Sequence, residues 1–113
     1  MTIERFDKGT RMSKIVVHGD IIYLSGQVGQ GENITAQTES MLGRVDELLA
    51  RVGSSKSKIL SAVVWISTMD NFAEMNAVWD AWIDPENPPT RACGEARLAR
   101  EALLVEVIIT AAK

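Results

Sequence analysis

Apolar positions change their period several times along the chain, and each change predicts an element. KIVVHGDIIYLSGQV, residues 14–28, holds two apolar runs, Ile15 to Val17 and Ile21 to Leu24, around His18-Gly19-Asp20. Short β-branched runs flanking a glycine turn predict a hairpin. TIERF, just before it, predicts a short first strand. From about Thr35 to Val52 the spacing turns helical: Met41, Leu42, Val45, Leu48, Leu49 and Val52 form one stripe, and Gly53-Ser54 supplies a stop. ILSAVVWIS, residues 59–67, is apolar on both alternating faces, with Ile59, Val63 and Trp65 on one and Leu60, Val64 and Ile66 on the other. That pattern predicts a central strand. A second helix is expected from about Asn71 to Ile83, with Asn71 and Glu74 as a capping box. Its buried face would be Phe72, Met75, Val78, Trp79 and Trp82. Pro85, Pro88 and Pro89 then forbid helix, and strands over about 90–97 and 103–111 close the chain.

The order strands, helix, strand, helix, strands predicts an α+β layer with two helices on one face of a mixed sheet. Two helices cover only one face, whereas the strands at 59–67 and 103–111 are apolar on both. Each large apolar side chain left in water costs ~1.5–3 kcal/mol, so the second face is expected to be buried on another copy. Residues 1–113 make one domain of ordinary size, with no repeat or linker to divide them.

Charge narrows the partners. A net charge of -3 with scattered lysines and arginines leaves no basic stripe for nucleic acid or an anionic membrane. No run approaches the ~18 apolar residues of a membrane span, and the N-terminus lacks a signal peptide's apolar segment. Cys93 is alone, so no internal disulfide forms and a reducing, cytoplasmic compartment is expected. One histidine, one cysteine and no close acidic cluster predict no metal site. SGQVGQG, residues 25–31, matches neither phosphate-loop pattern and reads as a bend where backbone comes close to something.

The chemistry concentrates in PPTRACGEARLA, residues 88–99, and LLVEVIITAA, residues 103–112. Strand alternation puts Arg91, Cys93, Glu95 and Arg97 on one face and Ala92, Gly94 and Ala96 on the other, where a helix is expected to pack. Glu106 shares a face with Leu104 and Ile108 and is expected to be partly buried. An unpaired carboxylate there costs several kcal/mol or takes up a proton, so Arg91 or Arg97 is the expected partner. Two readings fit. One is a structural Arg–Glu pair; the other is a cleft in which Arg91 binds a small carboxylate and Glu106 positions a water. Cys93 reads as a small buried filler with no histidine to act as its base, and His18 as a solvated turn residue. Trp65, Trp79 and Trp82 read as core or interface residues.

YLSGQV after a hairpin, then NFAEMNAVWDAW, PPTRACGEARLA and LVEVIITA, together resemble the Rid family of small proteins (YjgF/YER057c/UK114) across nearly the whole chain. The resemblance implies a chorismate-mutase-like α+β fold, a homotrimer with clefts between subunits, and hydrolysis of enamines and imines to 2-keto acids and ammonia without a cofactor. It carries to Arg91 the grip on the substrate carboxylate, and to Glu106 the orientation or activation of the attacking water. The backbone N–H of Cys93 would face the ligand, and Gly26 and Asn76 would line the site. Three features depart from the imine-hydrolysing branch. Met12 stands where that branch has a tyrosine, Gly94 follows Cys93, and the loop before Pro88 is short. The resemblance is therefore to a divergent branch, for which a non-catalytic carboxylate pocket or another catabolic hydrolase are the alternatives. An acidic chain without basic patches gives no support to the ribonuclease role attached to some relatives.

Overall fold

The computed structural model describes residues 1–113. β1 (Ile3–Phe6), β2 (Ile15–His18) and β3 (Ile21–Leu24) pair antiparallel in succession, and Gly19, at φ 63°, turns the hairpin where an L side chain would be strained. A two-residue β4 (Gln27–Val28) follows, a strand that the glycine-rich pattern had not suggested. α1 runs Ile34–Arg51, β5 Ile59–Ile66, α2 Phe72–Trp82, β6 Thr90–Glu95 and β7 Val105–Ala112. The sheet order is β1-β2-β3-β7-β5-β6, with β4 also on β7. Every pairing is antiparallel except β5 with β6, which α2 joins as a crossover. The mixed sheet and the two helices thus follow the pattern read from the sequence. No helix is long and apolar enough to cross a membrane.

α1 begins where Asn33 Oδ1 accepts the Ala36 N–H at 2.8 Å and ends at Gly53, φ 76°, whose left-handed backbone lets the Ser54 N–H reach the Leu49 carbonyl. α2 starts differently from expectation. Asn71 makes no side-chain cap, because a 3₁₀ turn over Met69–Asn71 has already begun the winding, and Thr68 Oγ1 accepts the Asp70 N–H instead. The capping box of Asn71 and Glu74 does not form.

Both helices lie on one face. Val105, Val107, Ile109 and Ala111 of β7 are buried in one cluster with Met41, Leu42, Val45 and Leu49 of α1 and Met75 and Trp79 of α2. Alternation puts Glu106, Ile108 and Thr110 on the opposite face, where Ile108 opposes Val63, and Tyr23 opposes both Thr110 and Val16. Ile108 remains 37% exposed and Tyr23 47%, so an apolar stripe runs across the uncovered side. β5 corrects the face assignment of its first residues. A bulge between Ile59 and Ser61 shifts the alternation, so Ile59 joins Ala62, Val64 and Ile66 in the core while Leu60 is exposed.

Candidate functional site

One half of the site is built on the helix face. Asp84 gathers the loop after α2 by accepting from Asn87 Nδ2, the Glu86 N–H and Ser57 Oγ at 2.8–2.9 Å, which holds its carboxyl below the usual carboxylate range. Pro88 and Pro89 then deliver β6 parallel to β5, with Arg91 opposite Ala62 and Cys93 opposite Val64. Ala62 and Val64 are core residues, so Arg91 and Cys93 point toward α2. The Arg91 guanidinium carbon sits 5.1 Å from the Trp79 ring centroid, within cation–π range. Nη1 of Arg91 is buried without a hydrogen-bond acceptor. Asn76, one turn before Trp79, has its Oδ1 buried without a donor. Two polar atoms of opposite character, both unsatisfied beside one helix, are the expected signature of a polar ligand's seat, since such groups normally cost about 1–3 kcal/mol each. Burial pushes the Cys93 thiol up, more than the nearby Arg91 pulls it down, which keeps the sulfur protonated near neutrality and unsuited to attack.

The other half is built on the uncovered face. Gln37, buried in α1, accepts the Leu104 N–H at 2.8 Å and donates to the Ala102 carbonyl, pinning the entry to β7. Two residues on, Glu106 lies opposite Trp65 of β5 and Val28 of β4. Three residues, Leu24, Ser25 and Gly26, span the interval that two residues span on β7, since Tyr23 pairs Thr110 and Gln27 pairs Val107. This inserted residue is a bulge, and it presses Gly26 against the carboxylate: a Cβ there would lie 2.7 Å from Glu106 Oε2. Gly29 likewise runs against the α1 backbone at Gln37 and Met41, so the close approach expected of residues 25–31 is real at both ends. Gly26→Ala should therefore leave the fold intact, because a side-chain tip can yield, while swinging Glu106 aside. A fall in any Glu106-dependent turnover with an unchanged melting temperature is the expected result.

Three expectations about these strands need correction. Arg91 and Glu106 do not pair, because they stand on opposite faces of one sheet; the chain's single ion pair is Arg51–Asp7 at 2.8 Å. Arg97 is not a strand residue, since β6 ends at Glu95, and it is exposed in the following loop. The small face of β6 does not receive a helix. Gly94 is covered by Trp65, whose ring would lie 3.0 Å from a Cβ there, and α2 packs on the face of Arg91 and Cys93. The sequence reading also missed Trp79 as the floor beneath Arg91, although its i+3 spacing from Asn76 places both on one helix face.

None of the three concavities of the chain includes Arg91, Asn76, Cys93 or Glu106. Gly26 does line one, a cleft of about 470 Å³ that Met12 also borders. Met12 thus stands beside the Gly26 half-site as an apolar wall.

Residues 2–113 match the family model described as endoribonuclease L-PSP. The RutC family protein of Haemophilus influenzae is 40% identical over 114 residues, covering 98% of each chain. YoaB, a RutC family protein of Escherichia coli, is 37% identical over 116 residues, covering 99% of each. The crystal structure of a YjgF-family protein from Neisseria meningitidis aligns over 100% of this chain and 96% of its own, at 45% identity and a TM-score of 0.98. A YjgF/YER057c/UK114 protein from Mycobacterium tuberculosis shares the fold at 24% identity and a TM-score of 0.85, over 92% of this chain and 88% of its own.

Proposed function

The chain belongs to the YjgF/YER057c/UK114 (Rid) family, and from that membership and the two half-sites we propose an enzyme that hydrolyses small 2-imino acids in pockets shared between copies. One copy supplies Arg91, Asn76 and the Cys93 backbone; its neighbour supplies Gly26 and Glu106. The observation that carries this reading is the buried Arg91 Nη1 with no acceptor in its own chain. A carboxylate satisfies it with a charge-assisted bond, and the Trp79 ring holds the guanidinium plane in place for a fork-like contact. A homotrimer with three such clefts is the assembly the family suggests, and the apolar stripe of the uncovered sheet face is the surface it would bury.

The chemistry asks little of the protein. The substrate carboxylate docks on Arg91, and its imine N–H donates to Asn76 Oδ1. Glu106 accepts a hydrogen bond from a water poised over the imine carbon, then takes its proton as the carbon–oxygen bond forms and the C=N π pair moves to nitrogen. Return of that proton to nitrogen gives a carbinolamine. Glu106 then takes the hydroxyl proton and passes it to the amino group, so that the oxygen pair forms C=O as the carbon–nitrogen bond breaks, releasing ammonia and a 2-keto acid. An imine carbon is already electrophilic, so positioning and one base supply the catalysis. No protein nucleophile is required, in keeping with a protonated Cys93.

The test is the decay of a 2-imino acid generated in situ by an amino-acid oxidase. Wild type should accelerate it, and Arg91→Ala and Glu106→Gln should each lower the rate by about a hundredfold or more. If no imine is accelerated while a keto acid still binds through Arg91, the hydrolase reading fails and a carboxylate-binding pocket stands in its place.

A further inference from the structure

The cleft that Gly26 shares with α1 carries a charge the hydrolase reading does not use. Lys14 enters it from the strand side, and Arg44, Glu47 and Arg51 enter from α1. Arg51 is spoken for, with Nη1 and Nη2 donating to the two Asp7 carboxylate oxygens at 2.8 and 3.1 Å. Lys14 and Arg44 have no carboxylate within ion-pair distance, since Arg51–Asp7 is the only pair in the chain. Lys14 and Arg44, neither of them in an ion pair although Lys14 lies near enough to Asp7 to help lower its carboxyl, thus line one cleft whose only lining acid is Glu47, in a protein whose net charge is -3. Concave walls concentrate such a field and attract an anion into it. Met12 and Leu48 add an apolar wall, suited to a methylene stem.

We infer that the substrate carries a second carboxylate. Resting on the imine-hydrolase site proposed above, the ligand is a dicarboxylic 2-imino acid: Arg91 of one copy holds the α-carboxylate and the Gly26 cleft of the next receives the distal one. Gly26 links the two functions, since its backbone abuts the Glu106 carboxylate and also lines the cleft. The guanidinium fork of Arg44 and the mobile ammonium of Lys14 provide the donors a terminal carboxylate takes. The reaction that supplies such a substrate must oxidise or eliminate from an acidic amino acid, leaving its side-chain carboxylate intact.

Binding of the stable product tests this without turnover. Calorimetry should show 2-oxoglutarate bound about tenfold more tightly than 5-methyl-2-oxohexanoate, an isostere without charge at its distal end, with a preference that fades as salt rises. In the Lys14→Ala/Arg44→Ala double variant the ratio of the two affinities should fall toward one. Equal affinity of wild type for the two acids overturns the inference. So does a preference that the double variant leaves intact, or inorganic phosphate competing as well as 2-oxoglutarate itself. Tight 2-oxoglutarate binding with no hydrolysis of its imine keeps the dicarboxylate pocket and removes the reaction, so the two failures are separable.

Discussion

Mixing the Arg91→Ala and Glu106→Gln variants, each inactive alone, restores imine hydrolysis to about a quarter of the wild-type rate. The expectation follows from the sheet. Arg91 lies over Trp79 on the helix side of β6, and Glu106 lies beside Trp65 on the other side of β7. No rotamer carries two side chains through a packed sheet to one point, so a pocket using both must draw them from different copies. An intact pocket then needs its arginine from the Glu106→Gln chain and its glutamate from the Arg91→Ala chain. Random mixing provides that in about one pocket in four, whatever the number of copies in a closed ring. The two proteins should be co-refolded, or left to exchange subunits, and the rate followed against each variant treated alone. A mixture as inactive as its parents, with exchange demonstrated by mass, would falsify the shared pocket. In that case every pocket draws both residues from one chain, or one of them is not in the pocket.

The helices were legible because their apolar stripe repeats over many turns, and an error of one residue at either end changes nothing in the middle. The strands, the two-residue β4 apart, were legible as strands but not in phase. Alternation says that Arg91 and Cys93 share a face; it says nothing of whether that face is also Glu106's. Only the register does, through Ala62 opposite Arg91 and Trp65 opposite Glu106 on the intervening β5. Single inserted residues removed what phase information remained: one at the start of β5 moved Ile59 into the core, and one before β4 set Gly26 against Glu106. A period of two has no memory across an insertion, so neither irregularity leaves a mark in the apolar pattern. The chemistry was easier to read. An arginine amid small residues and a glutamate within an apolar run stand out because each is costly where it sits. Physics singled out the two residues, and the error lay in expecting them to pair within one chain.

Ile108→Asp is expected to leave a folded protomer but to dissolve the proposed assembly, and with it the proposed hydrolysis, although Arg91 and Glu106 are both present. Ile108 sits two residues from Glu106 on the same face, opposite Val63, so any surface that buries one approaches the other. In the single chain it is 37% exposed, which means that a carboxylate there meets water and the protomer tolerates it. Between copies the same change loses ~1.5–3 kcal/mol of apolar burial and adds several kcal/mol for an unpaired charge at every interface. Those terms weaken association by about a thousandfold or more. Light scattering reports the mass, circular dichroism the fold, and the imine assay the consequence. A variant that keeps the wild-type mass places the contact elsewhere on the molecule. A folded monomer that still hydrolyses imines shows that one copy's Glu106 face works unaided, and the pocket shared between copies is then wrong.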